Sequence, residues 1–465
     1  LRSLVGSEMC IRDRILTAPL AISQIQASSA ISFSELSGQS SSAQTNSNND
    51  NPVSFSEIAG ANEQNDKPVI NFGENKSLDV KPKERIYIAE FTLSPQGKEM
   101  HGKIQELIKR GKIIEAKNVA KAFYDEVNDI KKGNVFLNTR SSFIEIEYIV
   151  ALMDLAQIDM IMGENEAAAL KTQEMFSLIE VFRNTYPIDF FMAAPVILDS
   201  MWDQGFIELA DRYTSVVYPM CRTYFGDQAV CASLKIHEGL AKIIRWKKRD
   251  EGLIEIQEAR DQYANQIGLA SVEYIESLYA NALAYKYLND FKSVGQVLDF
   301  AMKEANMSVI KKYPLNPVFG KIYMLYGETE LNDFKHKDAI NHFSQAVEFY
   351  KESTGGKSVS LAEAYRKLAT ALKYNNDFQE AVNNAVRAID IIRGIYGEES
   401  VELVSYYMSL GGIYADWEKP KEGIEAFEVA KKLNEKHRGP FNELNQLIDS
   451  NIKYLENVSS YRWKN

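Results

Sequence analysis

The chain has 465 residues, of which 45% are hydrophobic and 25% are charged, so it contains enough apolar material for a large core. Its formal net charge of −11 argues against nucleic acid or an anionic membrane as the main partner, since both favour basic surfaces. No stretch is long and apolar enough to span a bilayer. The best candidate, Tyr148 to Met162, is short and carries Asp154 and Asp159, so it is predicted to be a buried helix.

The first 84 residues divide into three segments that are not expected to contribute to the core. Residues 1–14 resemble a translated sequencing adapter, because they contain the run LVGSEMCIRDR. Residues 15–27 have the apolar centre and small-residue end of a signal peptide that lacks its basic start, and the alternative is an apolar patch in a disordered tail. Residues 28–84 are rich in serine and asparagine and are predicted to be a disordered tether.

Helical periodicity dominates after this tether. It follows a short alternating segment, ERIYIAEFTL, which is expected to run extended against the first helix. Residues 85–225 are predicted to form divergent helical hairpins, residues 226–440 regular repeats, and residues 441–465 a capping helix and tail. About eight helix pairs are expected in all.

A short phrase recurs five times between residues 226 and 405 and opens a pair of helices each time. It reads GDQAV at 226, GLASV at 268, PLNPV at 314, GGKSV at 355 and GEESV at 397, at steps of 42, 46, 41 and 42 residues. A fixed period in this range predicts a solenoid, in which each unit buries its apolar face against its neighbours.

A second pattern lies inside the period: two small residues, then a further position that is often aromatic, then an alanine. Three successive units show it, at Gly327, Ala339, Phe343 and Ala346, at Ala369, Ala381, Ala385 and Ala388, and at Gly411, Gly423, Phe427 and Ala430. The small residues should let the two antiparallel helices of a hairpin approach closely. The aromatic residue and the alanine should fill the contact with the next repeat.

This arrangement resembles the tetratricopeptide repeat family, and the period near 42 residues is similar to the longer kinesin-light-chain-type subclass. The resemblance implies an all-α, right-handed superhelical solenoid of antiparallel helix pairs behind a disordered N-terminal segment. It also implies a non-enzymatic scaffold or adaptor that binds a protein or peptide segment in its concave groove. The alternative is a cytoplasmic regulatory module that controls another protein through peptide-dependent conformational change.

The resemblance further implies groove positions on the first helix of each repeat. Transferred residue by residue, they are Asn281, Tyr285, Asn289, Lys321, Glu328, Asn332, Arg366, Lys367, Thr370, Lys373, Tyr374, Met408 and Ser409. Among them, Arg366, Lys367 and Lys373 form a local basic patch suited to an acidic or C-terminal carboxylate peptide.

The residues that usually carry catalysis or bind metals do not form a recognisable motif. The segment Lys351 to Ser358 nearly fits a phosphate-binding loop, but Lys351 stands where the first glycine should be and the segment follows a helix. The five histidines lie in different repeats, and His336 and His342 are six residues apart, which does not place them on one helix face. The sequence therefore predicts no enzyme activity, no cofactor and no metal site.

Two cysteines, Cys221 and Cys231, lie outside the adapter-like segment. They are placed symmetrically about Gly226, one ending a helix and the other starting the next, so a disulfide across the turn is geometrically possible. Two buried free thiols are the alternative, and the redox compartment decides between them.

The signal-peptide interpretation predicts a periplasmic or secreted bacterial protein, and the alternative is a cytoplasmic one.

Overall fold

The computed structural model describes residues 90–133, 143–183, 185–307 and 309–462. The adapter-like segment, the signal-peptide-like segment and the tether all lie outside these residues, and so do the predictions made for them. The described part of the chain contains eighteen α-helices connected by short turns, and no β-strand occurs there.

The helices follow one another closely, and one short 3-10 turn, Ala229–Cys231, lies before α7. In chain order they are α1 Pro95–Lys109, α2 Ile113–Lys131, α3 Ile144–Met162, α4 Asn165–Phe182, α5 Pro187–Asp203, α6 Ile207–Phe225, α7 Ala232–Ile244, α8 Arg249–Gln266, α9 Val272–Tyr287, α10 Phe291–Met307, α11 Val309–Lys312, α12 Pro317–Asn332, α13 His336–Ser353, α14 Val359–Tyr374, α15 Phe378–Tyr396, α16 Leu403–Asp416, α17 Pro420–Arg438 and α18 Glu443–Arg462.

Successive helices pair as eight antiparallel hairpins, numbered here 1 to 8 from α1/α2 to α16/α17, with α11 inserted between hairpins 5 and 6. Each hairpin packs on the next, and α18 packs on the second helix of hairpin 8. Buried apolar side chains occur in every hairpin, from Ile104 in α1 to Leu433 in α17. The predicted right-handed superhelical solenoid of antiparallel helix pairs is therefore confirmed, as is the number of pairs.

The recurring phrase forms the loops between hairpins. Ser271, Asn316 and Ser358 precede the first helices of hairpins 5, 6 and 7, and each side chain accepts a hydrogen bond from a backbone N–H two or three residues later. Such a cap satisfies an amide that would otherwise lack a partner at the helix start. Gly226 and Gly397 end the preceding helices with φ angles of 61° and 88°. The phrase thus contains the stop signal of one hairpin and the start signal of the next.

One residue in the turn of every hairpin has a left-handed backbone. These residues are Gly111, Gly163, Gly205, Lys247, Asn289, Phe334, Asn376 and Glu418. The turn N–H groups donate back to the last turn of the first helix, as in Gly163 to the Met160 carbonyl and Glu164 to the Asp159 carbonyl. The sequence analysis did not identify this shared position, because glycine occupies it in only three of the eight turns.

Glycines inside the first helices allow close helix approach. A Cβ atom at Gly327 would lie 2.6 Å from the ring of Phe343, and one at Gly411 would lie 2.8 Å from the ring of Phe427. Close approach at the small positions is therefore confirmed. Each ring packs against the first helix of its own hairpin, whereas the sequence prediction had assigned it to the contact with the next repeat.

Helix α3 is buried along nearly its whole length, as predicted for the apolar stretch that it contains. Its acidic residues have partners: Asp154 lies 2.9 Å from His101 Nδ1, and Asp159 accepts a hydrogen bond from Lys171 Nζ at 2.6 Å. Burial raises the pKa of Asp154, although the adjacent His101 opposes this effect.

Among the described helices, none combines the length and hydrophobicity that a membrane crossing needs.

An extended segment, residues 90–94, precedes α1 and joins two hairpins. Thr92 donates from its N–H and its hydroxyl to the carboxylate of Asp189 in α5, at 2.6 and 2.9 Å. The N–H of Ser94 donates to Glu147 in α3 at 3.0 Å. This segment therefore ties the start of the array to hairpins 2 and 3.

Cys221 at the end of α6 and Cys231 before α7 are joined by a disulfide bond in the structure, with their Cα atoms 5.8 Å apart. Both residues are buried. The bond links the end of hairpin 3 to the start of hairpin 4.

Candidate functional site

The first helices of the hairpins form the inner row of the solenoid. First helices of neighbouring hairpins contact one another along most of the array, whereas the second helices contact mainly the helices before and after them in the chain. Helices on the inside of a curved array lie closer together than those on the outside, so the first helices line a concave groove. Polar side chains on this row form the candidate site.

Three charged residues connect the inner row across hairpins 5, 6 and 7. Glu328 in α12 lies 2.5 Å from the ammonium group of Lys286 in α9 and 2.8 Å from that of Lys367 in α14. Burial alone would raise the pKa of Glu328, but the two lysine charges outweigh it and lower the pKa to about 2. We call Lys286, Glu328 and Lys367 the charge ladder.

In hairpins 6 and 7, most of the predicted groove residues lie on the accessible face of their helices. Lys321, Asn332 and Tyr374 are exposed, and the partly accessible ones are Glu328, Arg366, Lys367 and Thr370. Among the predicted residues, the structure brings Glu328 and Lys367 into direct contact. Their role in binding a ligand stays a prediction.

The positions transferred to hairpins 5 and 8 fit the groove less well. Asn281 is only 8% exposed, and Asn289 lies in the hairpin turn with a φ of 57°. Tyr285 is half-buried, and the next residue, Lys286, joins the charge ladder instead. A shift of one residue rotates a side chain by about 100° around a helix, which explains the difference.

Hairpin 8 shows the same mismatch between transferred positions and accessible surface. Ser409 is buried, and Met408 is partly buried. Neither residue forms a polar contact with another described inner-row residue.

Each cation of the predicted basic patch contacts an acidic residue on its own helix or on a neighbouring one. Arg366 lies 2.5 Å from Glu363, and Lys373 lies 2.9 Å from Asp416 in the next hairpin. Lys367 belongs to the charge ladder. The prediction that three cations present their charge to a ligand is therefore corrected: each has an acidic partner.

Three carboxylates on the inner row are open to solvent yet densely surrounded by protein: Asp199 and Asp203 in α5, and Glu276 in α9. Desolvation by the surrounding protein raises the pKa of Asp203 to about 6 and that of Glu276 to about 7. At Asp199 the nearby His237, whose Nε2 lies 3.2 Å away, outweighs desolvation and lowers the pKa. Solvent access combined with strong desolvation is expected for side chains that face a concave interior.

Asp203 and Glu276 form no ion pair with any residue that the structure describes. Lys321, from α12, lowers the pKa of both groups, but its charge acts from beyond contact distance. We call Asp199, Asp203 and Glu276 the inner carboxylates. Sequence reasoning missed them because they lie in the divergent hairpin 3 and at a shifted position in hairpin 5.

The inner carboxylates are suited to holding a positively charged group. Carboxylates with raised pKa values are stabilised in their ionised form by a cation that lies close to them. Across residues 90–462, apart from the undescribed gaps, no cluster of three or more His, Cys, Asp or Glu side chains is arranged to hold a metal ion.

Residues 319–393, which cover most of hairpins 6 and 7, match the family model of the tetratricopeptide repeat. This part of the chain is similar to the tetratricopeptide repeat family. The matched region contains the charge ladder residues of α12 and α14. No curated protein matches the sequence significantly.

Solved structures with tetratricopeptide-like repeats resemble the chain at low sequence identity. TPR-like repeats from a Podosopora anserina protein assigned as a kinesin light chain are 15% identical and cover 43% of this chain and 93% of their own, with a TM-score of 0.39. A Rap protein solved with Competence and Sporulation Factor is 11% identical. It covers 79% of this chain and 99% of its own, with a TM-score of 0.47. Yeast Tom70 is 14% identical and covers 82% of this chain and 67% of its own, with a TM-score of 0.45.

Proposed function

We propose that the protein is a non-enzymatic scaffold that binds a segment of a partner protein in the groove lined by the first helices. The groove offers a row of accessible polar side chains held in place by helix packing and by the charge ladder. Groups that are positioned before binding lose little conformational freedom when a ligand arrives. This arrangement favours recognition of an extended or helical segment.

The observation that carries the proposal is the pair of unpaired, desolvated carboxylates, Asp203 and Glu276. Perturbed pKa values in a concave site are typical of functional positions. The bound segment should therefore carry lysine or arginine at this point. Because Arg366, Lys367 and Lys373 each lie beside an acidic partner, a basic segment replaces the acidic one expected from the sequence.

Two fluorescent peptides test this proposal: a glycine-flanked run of five lysines and an otherwise identical run of five glutamates. Fluorescence anisotropy at low ionic strength should show binding of the lysine peptide and not of the glutamate peptide. The double substitution Asp203→Asn/Glu276→Gln should weaken lysine-peptide binding at least tenfold, about 1.4 kcal/mol, because it removes both charges that face the ligand.

The matched control is Glu352→Gln/Glu428→Gln, which makes the same change in net charge on the exposed second helices of hairpins 6 and 8. It should leave lysine-peptide binding within twofold of the wild type. Equal binding by the groove variant and the wild type, or preference for the glutamate peptide, would show that the inner carboxylates do not form the site.

A further inference from the structure

Hairpins 1 and 2 contact the loop that precedes hairpin 6 and the start of the first helix of hairpin 7, far along the chain. The side-chain amide of Asn316 donates to the carbonyl of Lys109 at 3.2 Å, across 207 residues. The hydroxyl of Ser360 donates to the carbonyl of Ile161 at 2.8 Å, across 199 residues. Each contact joins a hairpin to the fifth one after it. We call this set of contacts the closure seam.

Two turn glycines fit the closure seam so tightly that no side chain could be added. A Cβ atom at Gly163 would lie 2.9 Å from the backbone nitrogen of Ser360, and one at Gly111 would overlap the carbonyl of Leu315. Gly205 occupies the equivalent turn position in hairpin 3, and nothing lies within 4 Å of its added Cβ. The small size of Gly111 and Gly163 therefore serves the seam as well as the turn.

The closure seam completes a ring of hairpins around the groove. Glu276, on the inner row of hairpin 5, is acted on by the charges of Lys109 in hairpin 1, Asp199 in hairpin 3 and Lys321 in hairpin 6. One carboxylate thus faces charged groups from hairpins on several sides.

Few polar contacts hold the seam: besides the hydrogen bonds of Asn316 and Ser360, the hydroxyl of Tyr313 donates to Glu106 at 3.4 Å. Beside the seam, the ion pair between Lys109 in hairpin 1 and Glu273 in hairpin 5 measures 3.3 Å, and the two side chains are 38% and 34% exposed, so water competes for it. Glu402 at the start of hairpin 8 lies within electrostatic range of Glu166 in hairpin 2, and this like charge opposes closure. By contrast, neighbouring hairpins are joined by whole helix faces with buried apolar side chains.

We infer that the closure seam is a reversible latch, which surrounds the groove when closed and opens to admit a partner segment that has no free end. The opening follows from the seam contacts alone. The role of the latch as a gate rests on the proposed function. The two parts are therefore tested by separate measurements.

Double electron–electron resonance between ketone-linked spin labels at positions 112 and 357 measures the opening. These positions are exposed and flank the seam, since a Cβ at Gly355 would lie 3.4 Å from Ile114. Wild type should show a main short-distance population. Gly163→Ala should increase the long-distance population at least tenfold, because its methyl group collides with hairpin 7.

Gly205→Ala is the control for this measurement. Its φ of 75° nearly equals the 79° of Gly163, so the two alanines carry the same backbone strain and only one meets the seam. It should keep the wild-type distances. Ser360→Ala, which adds no strain, should shift the population in the same direction as Gly163→Ala. Unchanged distances in both seam variants would overturn the latch.

The gate is tested by locking the seam with a bismaleimide cross-link in Lys112→Cys/Lys357→Cys. Two probes are compared: the free five-lysine peptide and the same five lysines placed between two small folded domains. The locked protein should bind the free peptide as tightly as the unlocked protein does. It should bind the flanked segment at least tenfold more weakly. Equal capture of both probes would refute the gate. If neither probe binds any form, the proposed function fails, and the spin-label distances still decide whether the seam opens.

Discussion

At the turn of hairpin 6, Phe334 has a left-handed backbone with a φ of 58° while its side chain is 82% exposed. Two other hairpins place asparagine at this position, Asn289 and Asn376, and asparagine tolerates this conformation better than phenylalanine does. The nearest ring contact of Phe334 is with His336, at a centroid distance of 6.5 Å. The packing around Phe334 therefore does not compensate for its backbone strain.

The substitution Phe334→Asn should stabilise the protein by about 1 kcal/mol, because a left-handed backbone costs an ordinary L-residue roughly 1–2 kcal/mol and little burial is lost. Thermal unfolding followed by circular dichroism measures the effect. The reciprocal control, Asn376→Phe, should destabilise the protein by a similar amount. A lower Tm for Phe334→Asn would show that the exposed ring stabilises the fold.

Glu276 gives the stability of the protein a pH dependence that can be measured. Its folded-state pKa is raised from 4.5 to about 7, so the folded protein binds a proton that the unfolded chain has already released. Folding therefore becomes less favourable as the pH rises from 4.5 to 7. Glu276→Gln removes this effect.

The free energy of unfolding of the Glu276→Gln variant should equal that of the wild type near pH 4. At pH 8 it should be about 1 kcal/mol higher. The gain is smaller than the full pKa shift would give, since solvent reaches the side chain and reduces the desolvation of its charge. Urea unfolding at both pH values provides the measurement, with Glu352→Gln as an exposed control. A gain that is the same at pH 4 and pH 8 would exclude the ionisation of Glu276 as its cause.

Between hairpins, the loops rather than the helices carry most of the local sequence information. The capping side chains Ser271, Asn316 and Ser358 start first helices, and Gly226 and Gly397 end second helices in other loops. Between hairpins 3 and 4 this loop also carries the disulfide of Cys221 and Cys231. A covalent bond at this point limits the separation of the divergent hairpins from the regular ones.

In protein prepared under oxidising conditions, Cys221 and Cys231 should resist alkylation until a reductant is added. Reduction, or the change Cys221→Ser/Cys231→Ser, should lower the free energy of unfolding by about 2–3 kcal/mol, because the bond closes a short loop and restricts the unfolded chain. Mass spectrometry after alkylation and thermal unfolding with and without reductant test this. Alkylation of both thiols in unreduced, unfolded protein would contradict it.

At the scale of the whole array, the closure seam departs from the usual behaviour of solenoids. In a simple solenoid each repeat contacts only its neighbours, so stability is a sum of local terms. Here Asn316 and Ser360 bind hairpins five positions earlier, and charges from four hairpins act on Glu276. The state of the seam should therefore control both access to the groove and the electrostatics inside it, as the Gly163→Ala experiment tests.

The sequence by itself determined the all-α hairpin array, because repeated loops, helix caps and small residues such as Gly327 and Gly411 act through neighbours in the chain. The buried character of α3 was equally readable from its apolar run. These features depend on local backbone preferences and on the packing of two adjacent helices. Their residues lie within one repeat length of each other.

Only the tertiary structure decided the charge of the groove and the closure of the array. Arg366 and Lys367 looked like a basic patch until their acidic partners were located, and Lys373 is neutralised from the next hairpin. The inner carboxylates and the seam glycine Gly163 depend on how far the array curves over five hairpins. Curvature accumulates from small rotations between many packed hairpins, and no single repeat encodes it in a readable pattern.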